Sequence, residues 1–304
     1  MFTLSLKALL TLAPFITFSS GAILEYRKNH GSGGSTSGSN GTCTSIPQFL
    51  SCENTTEITD TCCTPTPGGL VIQTQFWDTY TGMEKSGQLL PKNNWTIHGL
   101  WPDNCDGSFE SYCDFERQFD ERPSPSTVNG QTVPRYSGPK VDTFITAAGR
   151  DDLLAFMKKY WVSQGSSDAS FWAHEYSKHG TCFSTFDTKC YSSDTQHEDL
   201  IDFFETVTKA WLKYPTYEWL AAADIVPSNS TTYKLSDMQD ALKSKTGALP
   251  YLGCHNKVLS EVWYYSHSLG PVQNLDFHAV DTTTKTTCPE SGIHYYERSS
   301  ASEA

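Results

Sequence analysis

The sequence predicts an α+β fold: a single domain in which a mostly antiparallel β-sheet packs against several helices and is stapled by disulfides. Three observations point to it. Segments rich in β-branched and aromatic residues interleave with segments of helical periodicity. Ten cysteines are spread over one continuous region of the 304 residues. No second Gly/Ser-rich linker divides that region, so one domain is favoured over two small ones.

Taken in order, residues 1–22, MFTLSLKALLTLAPFITFSSGA, carry one lysine, a short apolar stretch and a small-residue ending. That is the pattern of a secretory signal peptide cut after Ala22, too short to span a membrane. Residues 31–42, GSGGSTSGSNGT, have nothing to bury, and 23–42 reads as a propeptide or flexible leader. The domain proper is 43–304. Within it, "LVIQTQFW" (70–77), "VLSEVWYYS" (258–266) and "LDFHAV" (275–280) read as strands, the last with Leu275, Phe277 and Ala279 alternating. Residues 199–214 place Leu200, Phe203, Phe204, Val207, Ala210, Trp211 and Tyr214 at helical spacing. Residues 236–245 form a second helix, with Ser236 and Gln239 in capping-box positions, and 150–162 a third. Four prolines and "TVNGQTV" make 116–141 a surface loop.

The cysteines, all beyond the predicted cut, are Cys43, Cys52, Cys62, Cys63, Cys105, Cys113, Cys182, Cys190, Cys254 and Cys288. An even number in a secreted chain implies five disulfides, though counting alone leaves roughly 945 connectivities. The absence of a C-x-x-C pair weakens a metal-cluster reading. Sequons at Asn40, Asn54, Asn94 and Asn229 fit a glycosylated surface, although a Ser/Thr-rich chain also makes them by chance.

The formal charge is -12, and -13 once Lys7 leaves with residues 1–22. That argues against passive electrostatic binding to nucleic acid, but does not exclude a compact cationic site. The nine histidines would make the chain less anionic at mildly acid pH.

Two segments carry the chemistry. "SFWAHEYSKHG" (170–180) is a short helix with Ser170 as N-cap and Gly180 at C′. His174, Lys178, Glu175 and His179 fall at about 0°, 40°, 100° and 140° around its axis, so four ionisable groups share one side. A solvated polar face is the ordinary reading of such a pattern. Against it stand the flanking Phe171, Trp172 and Cys182, which look buried. A zinc site is the poorer account, because the two imidazoles project apart and Lys178 would repel a dication. In "NWTIHGLWPDNC" (94–105), an extended backbone puts Trp95 and Ile97 on one side and Thr96 and His98 on the other. Gly99 then allows a sharp turn and close backbone approach by a ligand. A core histidine in an aromatic cluster competes with that reading.

Together the segments supply three histidines, a glutamate and a lysine, with Trp101 and Phe109 as aromatic planes. That inventory suits phosphodiester cleavage in RNA. Paired imidazoles can serve as base and acid near neutrality, a cation can meet charge on the phosphorane, and flat rings can stack on an unpaired base.

"WTIHGLWP" (95–102) and "FWAHEYSKHGTC" (171–182) resemble the two active-site segments of the ribonuclease T2 family, secreted acid endoribonucleases. "GLVIQTQFW" and the cysteine layout are similar to the fungal members, and the resemblance covers 43 to about 296. It implies His98, His174, Glu175, Lys178 and His179 as catalytic residues. His179 would be the base on the 2′-OH and His98 the acid on the leaving group, with the roles exchanged when water opens the 2′,3′-cyclic phosphate. His174 would hold the phosphate; Glu175 and Lys178 would stabilise the pentavalent state. Trp101, Asp103 and Phe109 match a first base site, and Gln75 is assigned to a second. The implied bridges are Cys43–Cys63, Cys52–Cys105, Cys62–Cys190, Cys113–Cys182 and Cys254–Cys288.

The expected protein is thus a secreted or vacuolar monomer of low base specificity, using no metal or cofactor and acting on single-stranded RNA. Its pH optimum is expected to be acid, because an anionic chain raises histidine pKa values. The competing reading is a secreted recognition or toxin-like protein on the same fold, acting by binding. A glycan-binding module draws only on tryptophans that suit a core.

Overall fold

Residues 70–76 show no apolar/polar alternation because both faces of this strand are covered. The computed structural model describes residues 43, 48–53, 57–66, 68–191 and 196–304. In it β1 (Leu70–Phe76) lies between β2 (Thr96–Asp103) and a long strand 258–268. A two-stranded hairpin, β3 (Thr127–Val128) and β4 (Gln131–Thr132), stands apart. The remaining strands are β5 (Thr232–Lys234), β6 (Tyr251–His255), β7 (Val258–Ser268), β8 (Phe277–Val280) and β9 (Ser291–His294). The sheet runs β2-β1-β7-β9-β5, with β6 and β8 also pairing with β7. Every pairing is antiparallel except the single β7–β9 contact, so the expected mostly antiparallel α+β architecture is found.

Helices α1 (Val141–Ala147), α2 (Asp151–Tyr160) and α3 (Asp168–Lys178) precede α4 (Glu198–Leu212), α5 (Thr216–Ala221) and α6 (Leu235–Thr246). The apolar stripe of α4 is buried as its spacing predicts: Leu200, Phe203, Phe204, Val207, Ala210 and Trp211 line its inner side. This helix packs on β1 and β2, the strands that carry the first motif. A second core joins Trp77 and Trp95 to Met238 and Leu242 of α6, Val262 of β7 and Tyr295. The five disulfides join Cys43–Cys63, Cys52–Cys105, Cys62–Cys190, Cys113–Cys182 and Cys254–Cys288.

Several local expectations need correction. No capping box forms at α6: Lys234 is the N-cap, Ser236 bonds Asp237, and Gln239 reaches the Pro250 carbonyl. The third predicted strand starts at Phe277, because Leu275 adopts a left-handed backbone (φ 56°) and cannot extend the ladder. Loop 116–141 contains the β3–β4 hairpin, whose Asn129-Gly130 turn has both φ values positive, as a two-residue I′ connection requires. Its first turn is not a surface feature at all, since Arg117, Gln118 and Asp120 are buried.

The predicted signal and leader segments, and the sequons at Asn40 and Asn54, lie outside the described residues. Asn229 is exposed, whereas Asn94 is half-buried and its side chain donates to the Lys92 carbonyl. No helix among the described residues is long and apolar enough to cross a membrane.

Candidate active site

The first motif gains its geometry from a break in strand register. Along β1, Thr74 pairs with Gly99 but Gln75 pairs with Ile97, which leaves His98 as the extra residue of a β-bulge. A bulge re-aims the side chain it contains. The His98 ring stacks on Phe76 at 3.8 Å between centroids and meets Trp101 edge-on at 4.6 Å. Its backbone carbonyl accepts from the Trp161 indole at 2.9 Å.

The second motif is helix α3, and here the sequence reading shifts by three residues. Ser167, not Ser170, is the N-cap: its hydroxyl accepts from the Ser170 N–H, and Asp168 follows in the first turn where a negative charge suits the helix dipole. His179 is the C-cap and Gly180 does follow it, but in a short 3₁₀ turn rather than a left-handed one. Glycine is needed there for space, since a Cβ would lie 2.9 Å from the Tyr176 ring and 3.2 Å from Phe203. Burial decides against a solvated polar face: Glu175 and His179 are buried, and His174 and Lys178 half-buried.

The two segments meet around Trp101. Its indole N–H donates to Glu175 Oε2 at 2.9 Å, and His179 stacks on its ring at 4.9 Å and 19°. Glu175 Oε1 lies 3.6 Å from His98 Nε2. Gly99 makes this contact possible, though not by turning: the residue is inside β2, and what approaches its backbone is Glu175. A Cβ on Gly99 would stand 2.0 Å from Glu175 Oε2. On the outer side of α3, His174 Nδ1 lies 2.8 Å from Asp120 Oδ2.

Burial sets the electrostatics. Desolvation holds His98 well below the usual imidazole range, and His174 and Lys178 add to that repulsion of charge. His179 is likewise pushed well down by burial, then by Lys178, His174 and His98. The expectation that the chain's net negative charge raises these two histidines is therefore wrong in direction, because desolvation and neighbouring cations outweigh a distant surface charge. Glu175 is raised to about 7 by burial, against the pull of His174, the Trp101 N–H and Lys178.

The base-site candidates divide. Asp103 and Phe109 face each other across an isolated antiparallel bridge; Phe109 is 66% exposed, and burial raises Asp103 to about 7. One face of Trp101 is covered by His179, so a sandwich with Phe109 has only its other face to use. Gln75 is withdrawn from any base site. It is fully buried, donates to Gln73 Oε1 and the Tyr214 carbonyl, and accepts from the Thr216 hydroxyl, so no bonding capacity points outward. A cleft of about 790 Å³, with Glu110, Asp114, Glu116 and Asp187 against Arg117 and Lys189 on its wall, includes none of the five catalytic candidates, and its excess of carboxylates disfavours a polyanion. Among the described residues no cluster of three or more metal-ligand side chains is found.

Sequence reasoning missed Phe76, Tyr112 and Asp120. Phe76 lies in a quoted strand and its aromatic character was a signal. Tyr112 and Asp120 carry none, because a loop sequence does not reveal what it folds against.

Comparison with known proteins shows the family. The profile described as "Ribonuclease T2 family" matches residues 68–288. Ribonuclease Trv of Hypocrea rufa is 42% identical over 247 residues, covering 81% of this chain and 94% of that protein. Ribonuclease T2 of Aspergillus oryzae is 37% identical over 252 residues, covering 83% and 82%. The crystal structure of Actibind, described as a T2 ribonuclease, superposes with a TM-score of 0.71 at 36% identity, covering 83% of this chain and 97% of that one. The chain belongs to the ribonuclease T2 family and is a T2-type endoribonuclease.

Proposed function

We propose that this enzyme cleaves single-stranded RNA without a metal ion, by transphosphorylation to a 2′,3′-cyclic phosphate and then hydrolysis to a 3′-phosphate. The observation that carries this reading is the placing of a half-buried imidazole, His98, and a buried one, His179, against the Trp101 indole, whose N–H holds Glu175 beside His98. His179 takes the 2′-OH proton, the 2′-oxygen attacks phosphorus, and the P–O5′ bond breaks as His98 protonates the leaving oxygen. In the second step His98 takes a proton from water, the hydroxide attacks phosphorus, and His179 returns a proton to the departing 2′-oxygen. Lys178 and His174 meet the charge on the non-bridging oxygens. Glu175, neutral below about pH 7, can donate to one of them. Phe109 stacks on a base while Asp103 engages its polar edge, an arrangement that tolerates more than one base.

All five catalytic candidates come from one chain, which supports a monomer as the working unit. Five disulfides and the leader sequence support the secretory route, to the extracellular space or a vacuolar compartment.

Assayed on dinucleoside phosphates with excess EDTA, the enzyme should retain its full rate and release a cyclic phosphate before the 3′-phosphate. Loss of activity on chelation, or a 5′-phosphate product, would overturn the mechanism. The pH profile is a separate test. One histidine must be protonated and the other neutral, and both are held below 6.5 by burial, so the maximum of kcat/KM should fall below pH 6.5. Above that pH the acid form of either imidazole is depleted about tenfold per unit. A maximum at neutral or alkaline pH would show that the imidazoles are not depressed in the working enzyme.

A further inference from the structure

Segment 112–120 runs beside the C-terminal end of α3 and is tied to it at several points. The Tyr112 N–H donates to the Lys178 carbonyl (3.0 Å), Cys113 N–H to Thr181 Oγ1 (3.1 Å) and Phe119 N–H to Ser177 Oγ (2.8 Å). Arg117 reaches the Thr181 carbonyl at 3.2 Å, and the Cys113–Cys182 bridge closes the pair. Asp120 ends this splint, with 4% of its surface exposed. Its Oδ2 lies 2.8 Å from His174 Nδ1 and accepts from the Tyr112 hydroxyl at 2.9 Å, while Oδ1 accepts from the Arg122 N–H at 2.7 Å. The Tyr112 oxygen in turn accepts from the Ser124 N–H at 2.9 Å.

From this geometry we propose that Asp120 is a positioning residue for the reaction: it holds the proton of His174 on Nδ1 and turns Nε2 toward the scissile phosphate. The proposal rests on the phosphate-binding role given to His174 above. An ionised carboxylate can only accept, so a contact at 2.8 Å requires the proton on Nδ1. The Tyr112 hydroxyl, 3.2 Å from the same nitrogen, then has nothing to donate to there and gives its proton to Asp120 as well. Burial works against the Asp120 anion, but the His174, Arg122 and Tyr112 donors outweigh it and leave the carboxyl below its ordinary range. Nε2 sits across the ring from Nδ1, so the orientation of one nitrogen fixes the other. When His174 binds the phosphate as a cation, its second N–H is already neutralised from behind. The other charged or titratable groups around it are Tyr112, Glu175, Lys178, His179 and His98; Glu175 is neutral below about pH 7, which leaves Asp120 as the anion beside the ring.

The test combines nitrogen-15 NMR of the His174 ring with kinetics of Asp120→Asn, His174→Ala and the double variant. In the wild-type enzyme the neutral ring should carry its proton on Nδ1; a proton on Nε2 overturns the proposal whatever the variants do. An asparagine can also donate to Nδ1, so Asp120→Asn should mix the two tautomers. Its kcat/KM should fall roughly 10- to 100-fold, by analogy with the loss when the carboxylate behind a metal-binding histidine is removed. The double variant should be no slower than His174→Ala alone. Additive losses would mean that Asp120 acts through the fold and not through His174. A fully active His174→Ala enzyme would remove the phosphate role itself, and the nitrogen shifts would still show whether Asp120 sets the tautomer.

Discussion

Replacing His98 or His179 with phenylalanine should lower the rate of RNA cleavage by roughly 10²–10⁴-fold, the usual contribution of a positioned acid or base. Phenylalanine is the informative substitution because each ring has a stacking partner to keep. His98 lies 3.8 Å from the Phe76 ring and His179 lies 4.9 Å from Trp101, so a benzene ring preserves the packing and removes only the proton-transfer nitrogens. Volume changes this small in a core cost less than about 1.5 kcal/mol, and circular dichroism and the melting temperature should stay near those of the parent. Either variant retaining more than a tenth of the parental kcat/KM would exclude its histidine from proton transfer. The same proteins separate enzyme from binder: a biological effect that persists after cleavage is lost would belong to recognition by the fold.

Gly99→Ala is the second substitution with a large expected effect, and its reason is visible only in three dimensions. Gly99 sits in β2 with no left-handed backbone to satisfy, so conformational freedom does not explain it. Space does. The added methyl would lie 2.0 Å from Glu175 Oε2 and 2.8 Å from Trp101 Nε1, and both groups must move for it to fit. That breaks the 2.9 Å hydrogen bond between them and shifts the carboxyl that lies against His98. Misplacing reacting groups by about 1 Å can cost on the order of 10² in rate, and overpacking costs about 1–3 kcal/mol of stability. The expected protein is therefore folded, melts a few degrees lower, and has kcat reduced about 100-fold with a smaller change in KM. Wild-type kcat in a folded Gly99→Ala enzyme would show that Glu175 needs no fixed position.

The sequence by itself determined a good deal: the α+β class, helix α4 with its buried stripe, strands β1 and β7, and the two segments that hold His98, His174, Glu175, Lys178 and His179. These were legible because they rest on local chemistry and spacing, which one short stretch of chain carries complete. Only the tertiary structure decided the rest. It put His98 in a bulge that exists by virtue of the register between β1 and β2. It sealed Gln75 in a hydrogen-bonded core, gave one face of Trp101 to His179, and brought Asp120 from a proline-rich loop to His174. It also reversed the direction in which His98 and His179 are shifted, from raised by the net charge of the chain to lowered by burial. The common physical reason is that desolvation and hydrogen bonding depend on what packs against a group, and those partners are distant along the chain, from Phe76 against His98 to Tyr214, 139 residues from Gln75.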